Sequence, residues 1–385
     1  MAFDLPVLEP TDRFEALPAL NEIRAIGTDA PLHALPPGAE LEAIIEAAPD
    51  LKADIVTTGM PDGVATCDLV TLPYPTSFGL WRAAMAPTPF LFITNRMLVV
   101  QWTDPGGRRR TLLWEPSDHE RGEYTPYFAR LAQRNPLPRS VLATVHGTVL
   151  GHLRALGIAP GDVDYIAFDH LHTQDPRRLL GTTRPAPDLG SPDAPLAPWF
   201  PNAVLVSQRR EWETIRHLHP IQQPWYQPET FVDLPLDRLA LIDGDVLLGP
   251  GVALVATPGH TAGNMSLVLN TDRGVWTSSE NGVAAESWMP HASRIAGVRR
   301  FAVEWGQEVI MNANTLEFAA WQYDSMMLER LLADRAPDSP FPQCFPSSEL
   351  TRHRLAPGVK PTYTHTAIDH GTVRGSAVST PMVVV

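Results

Sequence analysis

Phe168-Asp169-His170-Leu171-His172-Thr173-Gln174-Asp175 follows the run Val163-Asp164-Tyr165-Ile166-Ala167, which has the composition of a buried strand. Two histidines one residue apart, just past a strand end, turn both imidazoles toward one point. A divalent metal held by neutral ring nitrogens needs that arrangement. Alone, the pair suits two polar loop residues better. A second stretch shifts the balance: Ala256-Thr257-Pro258-Gly259-His260-Thr261-Ala262-Gly263-Asn264 closes another strand-like run with a third histidine.

Together the two stretches resemble the metallo-β-lactamase fold superfamily. Its signature is His-x-His-x-Asp-His after a strand, then a histidine in a Pro-Gly-His-Thr-x-Gly turn. His170 and His172 match the first two histidines, and His260 matches the third with its whole turn intact. Gln174 stands where the family has aspartate, and Asp175 where it has histidine. The resemblance extends more weakly over residues 88–335. It implies an α/β protein, a four-layer αβ/βα sandwich, here with N-terminal and C-terminal extensions. A family aspartate that bridges two metals has its nearest match in Glu280, within Thr277-Ser278-Ser279-Glu280-Asn281-Gly282. Family members often place a last metal-binding histidine where this chain has Asn312 and Asn314. A short Asp-containing loop below the metals is matched by Asp118, which also suits a plain loop aspartate.

The composition narrows the function classes. The 385 residues suffice for one large domain with additions. A formal charge of −13 argues against nucleic acid and against an anionic membrane surface as partners. No apolar run is long enough to span a bilayer, and Met1-Ala2-Phe3-Asp4-Leu5-Pro6 lacks the pattern of a secretory leader. Cys67 and Cys344 are the only cysteines, so no disulfide framework is implied and a cytoplasmic location is expected. The Pro-rich ends suggest a homodimer.

Residues 1–53 read as an N-terminal accessory arm, with one helical pattern over 40–48 that puts Leu41, Ile44, Ile45 and Ala48 on one face. Residues 54–335 read as the metallo-β-lactamase-like domain. Residues 336–385 read as an irregular Pro-rich tail that crosses onto the site or onto a second subunit. Within the domain, residues 54–58, 65–72, 90–93, 97–102 and 111–114 have strand composition, with Asn95-Arg96 among the turns between them. Helices are predicted over 124–134 and 140–156, a final core strand over 309–315, and a helix over 316–333. The connection 176–202 carries seven prolines and follows the metal loop directly, which makes it the candidate substrate lid. Trp199 and Phe200 within it are pocket candidates, as are Gln174, Trp225, Tyr226 and Asn312. His365 and His370, in the tail, are outside candidates for a missing ligand.

Three neutral imidazoles with an open fourth position describe a catalytic zinc. Such an ion acidifies bound water and polarises a carbonyl. His170, His172 and His260 would hold it, while Asp175 or Glu280 would orient the water, accept its proton or bind a second metal. One or two zinc ions are expected, with Mn or Fe favoured by an oxygen-rich second site. The expected activity is hydrolysis of a small, fairly apolar ester, lactone or amide. A hydrolytic dehalogenase or another atypical superfamily member is one alternative. A catalytically silent binding protein on the same scaffold is the other.

Overall fold

The computed structural model describes residues 3, 5–21, 23, 35–134 and 142–375. Two sheets stack face to face. The larger runs in the order Leu239–Ile242, Val204–Gln208, Tyr165–Ala167, Arg109–Trp114, Phe90–Thr103, Gly63–Pro75, His370–Gly371. Ser348–Leu350 pairs with the fifth of these and Thr144–Val145 with the sixth. The smaller runs Glu15–Ala16, Val246–Gly249, Val252–Ala256, Met265–Thr271, Gly274–Ser279, Cys344–Pro346.

The strand sequences say which face goes where, because side chains alternate across a sheet. Val252 and Leu254 point inward with Leu98, Val100, Trp102, Leu112 and Trp114 of the larger sheet to form the core between the sheets. Ala253 and Val255 point outward, under Ile44, Ala48, Leu51 and Ile55 of helix Pro37–Thr57 and Leu328 and Leu332 of helix Ala319–Leu332. Met97, Val99 and Leu113 face out from the larger sheet onto Val149 and Leu153 of helix Val149–Ala155 and onto Trp212 and Ile215 of helix Arg209–Arg216. Helix, sheet, sheet, helix is the four-layer order that the resemblance implies.

Several local expectations are corrected. Residues 54–58 end the helix Pro37–Thr57 and its cap rather than forming a strand. That helix runs through Pro49, a residue that costs a helix interior about 3 kcal/mol. Burying Ile44, Leu51 and Ile55 contributes roughly 1.5–3 kcal/mol each, so tertiary packing wins. Asn95-Arg96 is mid-strand and not a turn. Arg96 is accommodated there because Asp68 and Glu349 pair with it and the Phe345 ring lies 4.8 Å below its guanidinium. Within the stretch predicted as one helix over 140–156, a helix runs over Val149–Ala155, and the Thr148 hydroxyl accepts the Gly151 N–H at 3.1 Å at its start. Thr144–Val145 instead adds a short strand to the larger sheet, and Val141, assigned to that helix, lies outside the described residues.

Residues 309–315 are extended but pair with no strand; Asn312 N–H bonds Asn281 O at 2.8 Å and Ala313 N–H bonds Phe78 O at 3.1 Å. The C-terminal stretch is far from irregular: Cys344–Pro346 joins the smaller sheet, while Ser348–Leu350 and His370–Gly371 join the larger one. Glu15–Ala16, in the N-terminal stretch, edges the smaller sheet. Short pieces of both Pro-rich ends are therefore spent on the chain's own sheets. Among the described residues, no helix is long and apolar enough to cross a membrane.

Candidate metal centre

Each sheet delivers one histidine loop to the same edge of the sandwich. His170 and His172 leave the end of Tyr165–Ala167, and His260 sits in the turn after Val252–Ala256. The Met265 N–H donates to Asp169 O at 2.8 Å and ties the loops together. One ring nitrogen from each of His170, His172 and His260 lies within 4.8 Å of the others, and all three residues are buried. Ring centroids are 4.6 Å apart for His170–His172 and His170–His260, and 5.1 Å for His172–His260.

The turn around His260 needs both of its glycines. Gly259 has φ +149°, and a Cβ there would lie 2.2 Å from Gln322 Cα on helix Ala319–Leu332. A Cβ on Gly263 would lie 2.2 Å from Glu211 N, so its absence lets helix Arg209–Arg216 approach the turn.

A fixed acceptor stands behind each ring and sets its tautomer. His170 Nδ1 donates to Asp169, whose other oxygen accepts from Ser347 Oγ at 2.8 Å. His172 Nε2 donates to Gln222 Oε1 at 2.7 Å. His260 Nδ1 donates to the Asn312 carbonyl at 2.9 Å. His170 Nε2 and His260 Nε2 are left for the common point, and His172 Nδ1 faces it with only a long contact of 3.5 Å from Asn314 Nδ2. Burial, and then the charge of His170, holds His260 down to about 3, and the same two causes hold His172 well below the usual imidazole range. Burial works against a charged His170 as well, but the adjacent Asp169 carboxylate outweighs it and raises that ring to about 9. His170 Nε2 is buried and makes no hydrogen bond. An orphaned buried nitrogen facing two neutral imidazoles fits a cation that replaces its proton, and the all-imidazole donor set fits Zn.

Glu280 follows strand Gly274–Ser279 and reaches the same point, with Oε2 3.9 Å from His170 Nε2 and its side chain 20% exposed. Burial pushes its carboxyl up to about 7, against the opposing pull of His170. Asp175, expected beside it, is turned away. Its carboxylate is fully buried between Arg121 (Nε–Oδ2 2.9 Å) and Arg177 (Nη2–Oδ2 2.7 Å), so both oxygens are occupied by guanidinium groups. Asp118 is likewise spent on Arg178 at 3.0 Å. The tail histidines are elsewhere: His365 is buried against Glu349 at 2.8 Å, and His370 bonds Asp272 at 2.7 Å.

The histidines open onto a cavity of about 860 Å³. Gln174 and Trp225 line it, together with Glu280 and Asn314. Its far wall is apolar: Leu72, Phe90, Phe92, Ile93, Phe128 and Leu131. Ser348 and Leu355 of the C-terminal stretch line it too, so that stretch does cross onto the site. Four pocket candidates move elsewhere. Phe200 is fully buried in the core against the helical layer, Trp199 covers Arg178, and Tyr226 bonds Glu211. Asn312 is fully buried behind the centre, bonding Tyr74, Glu280 O and His260. No residue of the connection 176–202 lines this cavity, whose wall is formed in part by the segment around helix Pro126–Arg134.

Sequence reasoning missed Glu115, Glu211 and Gln222. Glu115 has φ +58° and accepts the Asp169 N–H at 2.5 Å; burial, then the Asp169 charge, pushes its carboxyl well above the usual carboxylate range. None of the three carries a spacing signal, because each meets the histidines only through the fold. Asp169 was missed as well, though its place next to His170 is a signal in the sequence that could have found it.

No protein-family model matches the chain. An N-acyl homoserine lactonase of a Bacillus species is 30% identical over 130 residues, which is 34% of this chain and 42% of the relative. The N-acyl homoserine lactonase AttM of Azorhizobium caulinodans is 26% identical over 195 residues, 48% of this chain and 59% of the relative. The paired sheets and the histidine loops have the arrangement that the resemblance to the metallo-β-lactamase fold implies. The chain spans less than two thirds of the length of either relative. A probable metal-dependent hydrolase from Staphylococcus aureus aligns in structure with a TM-score of 0.47 and 12% identity, over 70% of this chain and 83% of that one.

Proposed function

We propose that the chain is a metal-dependent hydrolase that opens the lactone ring of an N-acyl homoserine lactone, with the acyl chain lying along the apolar wall of the cavity. The observation that supports it most is the three-histidine group opening directly onto that wall. The matched relatives, both named as N-acyl homoserine lactonases, support the substrate class.

His170, His172 and His260 would hold one zinc ion per chain. Among the described residues, the groups of three ligating side chains are His170-His172-His260 and Asp169-His170-Glu280, and both contain His170. Two ions have no separate donor sets there. With Asp175 paired to arginines, the oxygen-rich second site that would favour Mn or Fe lacks one of its two expected donors. When bound, zinc acidifies water and polarises a carbonyl. Glu280 stands where it can take a proton and hold it at Oε2. Leu72, Phe90, Phe92 and Ile93 exclude water from the acyl chain. A cytoplasmic location belongs to the same reading; its support is two buried cysteines without a bridge, Cys67 and Cys344.

Elemental analysis of protein purified without added metal should find close to one zinc per chain. With lactones of increasing acyl length, kcat/KM should rise by up to about fourfold per methylene, the equivalent of ~0.8 kcal/mol of apolar burial, until the wall is filled. Metal-free protein, or a flat response to chain length, would count against the reading. Glu280→Gln should keep its zinc and lower kcat by about 100-fold or more, the usual scale for a lost general base. Zinc lost in parallel with activity would make Glu280 a ligand and not a base.

A further inference from the structure

Glu211 is wholly buried, and among the described residues no arginine, lysine or histidine forms an ion pair with it. Its carboxylate is instead surrounded by donors from the two histidine loops and by Tyr226. Oε1 accepts from the Leu171 N–H at 2.9 Å, between His170 and His172, and from Tyr226 OH at 2.5 Å. Oε2 accepts from Thr261 Oγ1 at 2.6 Å and from the Gly263 N–H at 3.2 Å, just after His260. One carboxylate therefore holds the loop of one sheet with one oxygen and the loop of the other sheet with the other. Gly263 makes this reach possible, since any side chain there would strike the Glu211 backbone.

We propose that Glu211 is a positioning residue for the metal centre: an anionic clamp that sets the spacing of His260 from His170 and His172. Three features separate this from ordinary core hydrogen bonding. A buried carboxylate without a counter-ion is costly unless hydrogen bonds compensate it. The chain keeps one where the two histidine-bearing segments meet. Its charge also lies behind the ring group, where it favours a cation in front. Replacement by glutamine removes that charge and turns one acceptor into a donor, so one of the two loops must face an N–H where it needs an oxygen. Replacement by aspartate keeps the charge but shortens the reach by one methylene, so the two loops cannot both be held at their present separation.

This inference rests on the metal reading above, and the test keeps the two apart. Cobalt(II) is titrated into metal-stripped wild type, Glu211→Gln, Glu211→Asp and Tyr226→Phe. Affinity is read by competition with a chelator, geometry by the visible d–d absorption, and folding by far-UV circular dichroism and thermal unfolding without metal. Wild type should bind one cobalt with an intense, low-coordinate spectrum. Glu211→Gln should bind about 10–100-fold more weakly, the range for a lost partner of a metal ligand, with a weaker, shifted band. Glu211→Asp should recover part of the affinity but not the spectrum. Tyr226→Phe removes one donor, leaves the charge and both loop contacts in place, and should bind within about threefold of wild type. Folded Glu211→Gln with wild-type affinity and spectrum would overturn the clamp while leaving the metal centre standing. Wild type that binds no cobalt would overturn the metal reading itself. Should Glu211→Gln fail to fold, the spectrum of Glu211→Asp decides: one unchanged from wild type overturns the clamp.

Discussion

Replacing His260 with alanine is expected to lower zinc affinity by more than about 100-fold and to take lactone hydrolysis to the uncatalysed level. Loss of a residue that only orients a ligand already costs 10–100-fold, and His260 is itself one of the three donors grouped within 4.8 Å. With two imidazoles left, both on one loop, the ion loses its link to the second sheet. The fold should survive. His260 belongs to none of the hydrophobic clusters between and outside the sheets, and its turn is still held by Thr261 and Gly263 on Glu211. Zinc content by elemental analysis, hydrolysis of a medium-chain N-acyl homoserine lactone, and thermal unfolding together check this. A folded variant that retains zinc and full turnover would mean that the three histidines are not the reacting centre. A folded variant that loses zinc but still binds the lactone as the wild type does, where wild type also fails to hydrolyse it, would point to the silent binding scaffold.

Asp175→Asn is expected to do the opposite: about 3 kcal/mol of stability lost, with zinc content unchanged. Asp175 is fully buried between Arg121 and Arg177, whose side chains are 9% and 13% exposed. Removing one partner of a buried ion pair leaves the other charge without compensation and costs roughly 3–5 kcal/mol. Asp188 limits the loss, since it also pairs with both arginines at 2.7 Å, but at 49% exposure solvent screens it. Chemical denaturation measures the first quantity and elemental analysis the second. If Asp175→Asn kept its stability and dropped its zinc, the carboxylate would be a ligand after all, as its place three residues after the second histidine suggests in a linear reading.

The two predictions contrast what a linear chain displays with what folding decides. His170-x-His172 and Pro258-Gly259-His260 were legible because metal ligation needs particular residue types at short, fixed spacings beside strand ends. The four layers were expected only through the resemblance that these motifs carry. Strand alternation such as Val252, Ala253, Leu254, Val255 is the local pattern that lets each face find its own partner. Those signals are local, and the sequence carries them by itself.

Asp175 shows where that reach ends. Whether a carboxylate meets a metal or an arginine depends on Arg121, a residue far away in the chain that arrives only through packing. Phe200 and Trp199 were apolar in a Pro-rich connection, and composition does not distinguish a lid from a buried plug. Residues 344–350 looked irregular because short strands that add to existing sheets need little propensity of their own when hydrogen-bonding edges and bonds between strands await them. Glu211 had no signature at all. Its role exists only because two loops from different sheets bring three donors, and Tyr226 a fourth, to one buried carboxylate, and buried charge is tolerated only where the assembled structure satisfies it. The sequence alone settled which residues have ligand chemistry; the tertiary structure settled which of them face one another, since contacts between distant segments are decided by the packing of the whole chain.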